Sequence, residues 1–197
     1  MKTRNLLLAF FVFAAVFAFS PAAAFADFPI GSKLDDFKLS ATDGKTYSFS
    51  DLKGEKGTVI VFLSAQCPIV KSYVERINSL AADYKAKGIN FVGINSNATE
   101  DLAWVTRHRN ESFPDLTVLI DTGNVIADKL GANVTPEAYY FDTENTLLYH
   151  GSIDDDRSGE NPTEHYLKAA FDLTLAGKSV EKTTNRAFGC IIKRKDA

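Results

Sequence analysis

The sequence T-V-I-V-F-L-S-A-Q-C-P, residues 58–68, joins a strand-like run to a helix-like run through a single cysteine, Cys67. The first seven of these residues are mostly apolar and β-branched, which predicts a strand buried on both faces. From Pro68 to Lys87 apolar side chains recur every three or four residues, and Gly88 ends the predicted amphipathic helix. Residues 89–95 (I-N-F-V-G-I-N) predict a second buried strand. Strand, helix and strand therefore indicate a parallel βαβ unit.

The rest of the chain extends this unit with further strands and helices. A small hairpin is predicted within residues 28–51, and a helix capped by Thr99-Glu100-Asp101 is predicted to run to about Arg109. The later predicted elements are a strand at 116–121, a short helix at 124–130, a hairpin of strands at 138–142 and 146–150, and a helix at 163–176. This order predicts an α/β fold with a central mixed sheet flanked by helices, an N-terminal hairpin and a C-terminal tail.

The first 26 residues have the three parts of a secretory signal peptide. Lys2 and Arg4 are basic, residues 6–19 form an unbroken apolar run, and Ala24-Phe25-Ala26 is a small-x-small cleavage site. The run of 14 residues is shorter than the roughly 20 that a spanning helix needs. We therefore expect cleavage before Asp27, export to the periplasm or the medium, and no stable membrane insertion afterwards. An uncleaved membrane anchor is the alternative.

The composition is that of a folded soluble protein and excludes several classes of function. The sequence is 45% hydrophobic and 24% charged, and 22 basic against 25 acidic residues give a net charge of −3. This slightly negative net charge does not indicate a protein that binds nucleic acid, which would need an excess of basic residues. The histidines and cysteines lack the spacing of a metal finger, and we predict no metal and no cofactor. The Asp154-Asp155-Asp156 run lacks spaced calcium ligands, so we predict a solvated turn there.

Cys67 is the residue that suggests chemistry. It follows a buried strand and precedes Pro68, which suits the first helical position because proline has no N–H group. The sulfur is therefore expected at a helix N-terminus, where unpaired N–H groups and the macrodipole favour an anion. Such a position lowers the pKa of a thiol and raises its thiolate fraction at neutral pH. Lys71, one turn further on, would add a second favourable charge. A buried, inert cysteine is the alternative.

A second feature is the dipeptide Thr135-Pro136, just before the strand predicted at 138–142. A proline at a strand entrance removes a ladder donor and can hold a cis peptide bond. An ordinary edge-strand proline gives the same pattern in the sequence. The dipeptide therefore indicates a site only in combination with Cys67.

Four motifs together resemble a thioredoxin-fold redoxin, and more narrowly the peroxiredoxin-like branch of the alkyl hydroperoxide reductase and thiol-specific antioxidant superfamily. They are F-L-S-A-Q-C-P at 62–68, T-P-E-A-Y-Y-F-D at 135–142, G-S-I-D-D-D-R at 151–157 and G-C-I-I-K at 189–193. The resemblance covers about residues 29–194 and implies a thioredoxin-like sandwich with an insertion between its βαβ and ββα halves. We expect a signal peptide at 1–26, a redoxin domain at 27–177, and a tail at 178–197 that carries Cys190.

The sequence departs from both patterns that this resemblance implies. Thioredoxins carry Cys-x-x-Cys, and Ser64 stands here in place of the first cysteine. Peroxiredoxins carry a hydroxyl residue three positions before the peroxidatic cysteine, which Ser64 matches, and a proline seven positions before it, where this chain has Ile60. They also carry an arginine six residues before the strand-ending Asp142, and that position is Pro136. The expected site is therefore a hybrid of the two patterns.

Two interpretations of the cysteine pair stay open. In the first, Cys67 is the reactive thiolate and Cys190, on a tail that Gly189 makes flexible, resolves its disulfide or sulfenic acid. In the second, a permanent disulfide fastens the tail across the domain and contributes about 4–5 kcal/mol in the loop-entropy description. An even number of cysteines in an exported protein suits both interpretations.

The combined reading predicts an exported thiol-disulfide oxidoreductase of peroxiredoxin-like type. Cys67 would be the reactive group, Ser64 its local hydrogen-bond partner, Pro136 the backbone platform for an incoming disulfide, and Cys190 the resolving cysteine. The partner would be a protein dithiol or disulfide, or a peroxide. Two alternatives remain: a thiol-dependent peroxidase with antioxidant activity, and a redox-inert binding or assembly module with a structural Cys67–Cys190 disulfide.

Overall fold

The computed structural model describes residues 28–158 and 160–195, and the predicted signal peptide at 1–26 lies outside the described residues. Nine strands form within them: β1 Lys38–Ala41, β2 Thr46–Ser48, β3 Gly57–Leu63, β4 Ile89–Asn95, β5 Thr117–Ile120, β6 Val134–Thr135, β7 Glu137–Phe141, β8 Leu147–Gly151 and β9 Cys190–Ile191. Four α-helices accompany them: α1 Pro68–Lys85, α2 Leu102–Ser112, α3 Val125–Leu130 and α4 Tyr166–Leu175. None of the helices in the described ranges is both long and apolar enough to cross a bilayer.

Seven of these strands make one mixed sheet in the order β2-β1-β5-β4-β3-β7-β8. β3, β4 and β5 run parallel, with Thr58 opposite Asn90 and Ile94 opposite Leu119. The remaining pairs of this sheet, β1–β2, β1–β5, β3–β7 and β7–β8, are antiparallel. The predicted βαβ unit, both hairpins and the mixed sheet are therefore confirmed. β6 and β9 form a separate two-stranded sheet that brings the C-terminal tail onto the domain.

The sheet separates two apolar layers, which explains why its central strands are apolar at successive positions. All seven residues of β3 are buried. Val59, Val61 and Leu63 belong to the layer that includes side chains of α1, α2 and α4. Ile60 and Phe62 belong to the layer that includes α3 and the segment before β1. A strand buried on both faces needs an apolar side chain at each position, because successive residues point to opposite sides.

Two predictions about the loop before α4 are wrong. The helix begins at Tyr166 rather than at Thr163, because the Asp155 carboxylate accepts the backbone N–H of Thr163 and holds that segment in a turn. Asp154 is 1% exposed instead of solvated. The hydroxyl of Tyr73 donates to it at 2.5 Å and Arg76 forms an ion pair with it. A buried carboxylate requires such partners, since burial without them is costly.

Phe171 on α4 tests the packing of this helix on the sheet. Its ring lies 4.7 Å from that of Tyr84 and 4.8 Å from that of Tyr140, measured between centroids, and the side chain is fully buried. We expect Phe171→Ala to lower the free energy of unfolding by about 3–5 kcal/mol in urea denaturation, because truncation leaves a cavity. Leu102→Ala, at a side chain 56% exposed, is the control and should change it by less than about 0.5 kcal/mol. Equal effects of the two changes would contradict this account of the packing.

Candidate functional site

Cys67 caps α1. It has extended backbone angles, φ −78° and ψ 116°, and Pro68 is the first helical residue. The carbonyl oxygen of Cys67 accepts the N–H of Lys71 at 3.2 Å, the first bond of the helix. The side chain is fully buried. The sulfur of Cys67 therefore lies at the N-terminus of a helix, as the sequence predicts.

The sulfur of Cys67 is bonded to that of Cys190, and the two Cα atoms are 5.8 Å apart. These cysteines are separated by 123 residues in the chain, so the disulfide joins the tail to the end of β3. The Cys67 sulfur also lies 3.2 Å from the carbonyl oxygen of Thr135. The peptide bond between Thr135 and Pro136 is cis, the isomer that the sequence allowed. Cys67, Cys190 and Pro136 thus come together at one place.

Gly189 has a different role from the one predicted. β9 pairs antiparallel with β6, and Cys190 lies opposite Thr135. A Cβ atom at Gly189 would lie 1.9 Å from the carbonyl oxygen of Thr135. Glycine is therefore required for close approach of two backbones, and the tail is held at this point rather than left as a flexible arm.

Residues 190–195 are bound along the edge of the sheet where the parallel strands end. Arg194 forms a 2.8 Å ion pair with Asp128, and its guanidinium also donates to the carbonyl oxygen of Ala132. The other hydrogen bonds of this segment join Ile192 to Asn133, Lys193 to Asn97 and Ala98, and Lys195 to Asn124. Residues 189–195 therefore form a strap that covers the buried sulfur of Cys67. Hydrogen bonds and an ion pair hold this strap in addition to the disulfide.

The segment before Cys190 is held by α1 and by the loop that follows β8. The Phe188 ring packs edge-on against Tyr73 at 6.3 Å between centroids, and the Arg157 guanidinium lies 5.3 Å above its centre. Burial and the hydrogen bond to Asp154 raise the pKa of Tyr73 well above its ordinary value, so this hydroxyl stays protonated as a donor. The buried Asp154 thus positions the ring on which Phe188 rests.

Ser64 is buried, and its hydroxyl donates to Glu100 at 2.5 Å rather than to the sulfur of Cys67. The same carboxylate accepts the backbone N–H groups of Ala65 at 2.8 Å and Gln66 at 3.2 Å, and the amide of Asn95 at 2.6 Å. Glu100 therefore fixes the conformation of the turn that leads from β3 to Cys67. Satisfying several donors with one carboxylate is a strong local constraint.

The role of Glu100 was missed in the sequence because it stands in the triplet assigned to the cap of α2. Only Asp101 caps that helix, accepting the N–H of Trp104 at 2.7 Å. A signal was present: Glu100 follows the end of β4, and Ser64 follows the end of β3. Parallel neighbours end at the same edge of a sheet, so residues just beyond them meet.

No group of three or more His, Cys, Asp or Glu side chains that could hold a metal ion occurs among residues 28–158 and 160–195. The chemistry that this arrangement can support is that of the sulfur pair. One sulfur is buried at a helix N-terminus, and its partner lies on the strap. Thiol–disulfide exchange acts on such a pair: a thiolate attacks one sulfur of the disulfide and the other sulfur leaves.

The β3-α1-β4 unit, the β7-β8 hairpin with α4, and the cis-proline beside a cysteine at the start of α1 define the thioredoxin fold. The exposed lipoprotein thioredoxin of Streptococcus pneumoniae shares this fold, with a TM-score of 0.57, 21% identity, and coverage of 71% of this chain and 100% of that one. An uncharacterised conserved protein of Geobacillus kaustophilus is more similar, with a TM-score of 0.80, 32% identity, and coverage of 86% and 94%.

Residues 30–150 match the AhpC/TSA family, and the chain belongs to that family. The thiol-disulfide oxidoreductase ResA of Bacillus thuringiensis is 28% identical to it over 119 residues, which are 60% of this chain and 67% of the relative. The match to the family begins just before β1 and ends within β8. It therefore includes Cys67, Ser64 and Pro136, whereas Cys190 lies beyond it.

Gly189→Ala tests the close approach of the tail to Thr135. The added methyl group would have to displace backbone, and such overpacking costs about 1–3 kcal/mol. We expect the disulfide equilibrium with glutathione to shift toward the dithiol by about tenfold, which corresponds to 1.4 kcal/mol. Ala187→Ser also adds one heavy atom to the tail, at a position that lines a cavity, and should leave the equilibrium within about twofold. An unchanged equilibrium in Gly189→Ala would show that the tail is not held there.

Glu100→Gln tests the hold of this side chain on the turn before Cys67. The amide replaces one acceptor oxygen by a donor, so at least one of the backbone or hydroxyl donors loses its partner. We expect the free energy of unfolding to fall by about 1–3 kcal/mol. The pKa of the reduced Cys67 thiol should fall as well, because the carboxylate bonded to the backbone of Ala65 and Gln66, next to Cys67, loses its negative charge. Thiolate absorbance at 240 nm measures that pKa.

Asp101→Asn is the matched control for this experiment, since it removes the neighbouring charge from a residue that caps α2 only. Asparagine is as good a cap as aspartate, so stability should change little. The pKa of Cys67 should stay within experimental error of the unmodified protein. Equal shifts in both variants would mean that general surface charge, and not contact with the turn, sets the thiol pKa.

Proposed function

We propose that the protein is an exported thiol–disulfide oxidoreductase that cycles between a Cys67–Cys190 disulfide and the corresponding dithiol. The single observation that carries this proposal is the position of the disulfide, with one sulfur at the N-terminus of α1 and beside the cis Thr135-Pro136 peptide. Membership of the AhpC/TSA family and similarity to a relative named as a thiol-disulfide oxidoreductase support an oxidoreductase.

The proposed role of Cys67 rests on electrostatics. In the dithiol form the sulfur stays at the N-terminus of α1, where the N–H groups of the first turn have no intrahelical acceptor. These groups and the helix dipole favour a thiolate over a thiol. The turn fixed by Glu100 keeps Cys67 in this position, although the Glu100 charge itself opposes thiolate formation. The helix provides the stabilisation and the turn provides the geometry.

Pro136 is proposed as a positioning residue. The peptide bond before it places the Thr135 carbonyl against the sulfur of Cys67, and the backbone of β6 beside it faces β9. A backbone edge of this kind holds an extended segment by main-chain hydrogen bonds without reading its side chains. In the oxidised protein the tail occupies that edge, so Cys190 is delivered to Cys67 as part of a paired strand.

Peroxide reduction is the weaker of the two thiol chemistries for this site. A peroxidase needs donors aimed at the oxygens on which charge develops. The Ser64 hydroxyl is committed to Glu100, and Pro136 stands where peroxiredoxins carry an arginine. We therefore propose a protein dithiol or disulfide as the partner, with peroxide as the alternative to be tested beside it.

The proposed location follows from the N-terminal sequence. We propose that residues 1–26 are removed as a signal peptide, leaving a redoxin domain at 27–177 and the tail at 178–197 in the periplasm or the medium. A disulfide between Cys67 and Cys190 suits such a compartment, because disulfides persist where conditions are oxidising.

Single cysteine variants test the proposed function. The unmodified protein should catalyse dithiol-dependent reduction of insulin, with a disulfide potential above about −300 mV in glutathione buffers. Cys67→Ser should lower the rate at least about a hundredfold, because it removes the nucleophile. Cys190→Ser should instead accumulate a mixed disulfide on Cys67, visible by mass spectrometry.

Three other results would contradict the proposal. Peroxide consumption that exceeds insulin reduction would favour the peroxidase. A potential below about −300 mV with no turnover of either substrate would leave a structural bridge in a binding module. Equal activity of Cys67→Ser and the unmodified protein would remove Cys67 from the chemistry. Ser179→Ala, in the tail but away from both sulfurs in sequence, controls for nonspecific effects of substitution.

A further inference from the structure

We propose that the tail segment 187–191 is an intramolecular copy of the substrate, and that the site selects polypeptide disulfides with an aromatic residue two positions before the reacting cysteine. Glycine is required between the two. This selection rests on the proposed function and adds the side chains by which a partner is recognised. Tyr73 and Arg157, which we call the aromatic subsite, are the residues assigned to that recognition.

Phe188 stands two positions before Cys190 and fills the aromatic subsite. Its ring packs edge-on against Tyr73 of α1, with 6.3 Å between centroids, and the Arg157 guanidinium lies 5.3 Å from the ring centre. Phe188 and Cys190 pack against the same apolar layer, as side chains two apart in an extended chain do. An edge-on ring contact combined with a cation over the ring favours an aromatic side chain over an aliphatic one.

The aromatic subsite is held by the domain and not by the tail. The Tyr73 side chain is fully buried, and its hydroxyl donates to Asp154 at 2.5 Å. The carbonyl oxygen of Arg157 accepts the Ser72 hydroxyl at 3.1 Å. Tyr73 and the backbone of Arg157 therefore keep their positions when the tail leaves. A subsite that is already ordered loses less entropy when it binds a ligand.

The positions on either side of Cys190 show what else the site requires. A Cβ atom at Gly189 would lie 1.9 Å from the carbonyl oxygen of Thr135, so a side chain directly before the cysteine is excluded. Ile191 is 67% exposed, so the side chain directly after the cysteine is not selected. The pairing of β6 with β9 contributes main-chain hydrogen bonds, which do not distinguish side chains. The recognised sequence is therefore an aromatic residue, glycine, cysteine and any residue.

Reduction of the disulfide makes this site available to a partner. Before segment 187–191, the Asn185 side chain accepts the backbone N–H of Ser152 at 2.7 Å, and after it Ile192 is 2% exposed. Once the bond between the sulfurs is broken, the segment is held by the two-residue β9 and by Phe188. It can bulge outward while both flanking contacts persist. It then returns at a high effective concentration after the partner has reacted.

The chemistry is thiol–disulfide exchange in two balanced steps. The Cys67 thiolate forms a bond to the partner's cysteine sulfur, the partner's S–S bond breaks, and its other sulfur leaves with the electron pair. The segment 187–191 then returns, the Cys190 thiolate bonds to Cys67, and the partner's cysteine leaves as a thiolate. Two electrons pass from the cysteine pair to the partner disulfide, and the proton of Cys190 passes to a released thiolate.

Single-turnover reduction of peptide disulfides by the reduced full chain tests this selection. Three peptides are joined through their cysteine to thionitrobenzoate: Ala-Phe-Gly-Cys-Ile, which copies residues 187–191, Ala-Ala-Gly-Cys-Ile and Ala-Phe-Ala-Cys-Ile. Attack on the peptide sulfur releases coloured thionitrobenzoate in the first step. Each second-order rate constant is divided by that of the same peptide with dithiothreitol. We expect the first peptide to react about tenfold faster than either of the others.

Arg157→Ala tests the aromatic subsite. It removes the cation above the ring and should lower the rate ratio of the first peptide to the second about threefold. The ratio is measured because this change also loosens Phe188 and so alters both rates together. Arg107→Ala, which removes an exposed arginine of α2, is the matched control and should leave the ratio unchanged. Phe188→Ala should raise the rate of the first peptide about threefold, because the competing side chain is gone.

The outcomes separate this selection from the proposed function. Equal or reversed rates among the peptides, or a Phe188→Ala variant no faster than the unmodified protein, overturn the selection and leave thiol–disulfide exchange intact. An unchanged ratio in Arg157→Ala, or an equal fall in Arg107→Ala, overturns the assignment of the aromatic subsite. Thionitrobenzoate release no faster than in Cys67→Ser overturns the selection and the proposed function together.

Discussion

The carbonyl group of Thr135 is the contact on which the site depends. It lies 3.2 Å from the sulfur of Cys67, it belongs to the cis peptide that leads into β7, and Gly189 packs against it without room for a methyl group. One polar group thus connects the start of a helix, the entrance of a central strand and the C-terminal tail. The interior around it is close-packed, so a shift in any of the three moves the others.

The arrangement is possible because three parallel strands end at the same edge of the sheet. The turn that precedes Cys67 follows β3, and Glu100 follows β4. The tail is bound by Asn97 beyond β4 and by Asn124 beyond β5. Loops at such an edge are positioned by rigid strands, and their residues commonly form binding and catalytic sites. The buried ion pair of Asp154 with Arg76 contributes to the same site, because Asp154 also binds Tyr73, on which the Phe188 ring packs.

The fold was predictable from the sequence because its central strands are buried on both faces and α1 has a clear apolar repeat. The position of Cys67 followed from local rules for proline and helix starts, whereas the dipeptide Thr135-Pro136 allowed the cis bond without requiring it. The binding of the tail to the domain could not be predicted from the sequence, because β9 is two residues long and its pairing partner β6 is far away in the chain. Local patterns carry no information about which distant backbone a short strand meets. The burial of Asp154 could not be predicted for the same reason, since its partners Tyr73 and Arg76 lie on α1, far away in the chain.

The 123-residue separation of the two cysteines has a consequence for biosynthesis and turnover. The ribosome completes Cys67 and every strand of the main sheet before Cys190 is made, so the disulfide can close only after all seven of those strands exist. Conversely, a proteolytic cut between Leu175 and Cys190 separates one member of the pair from all seven strands of the main sheet. Once the disulfide is reduced, that single cut would leave the sheet with Cys67 alone.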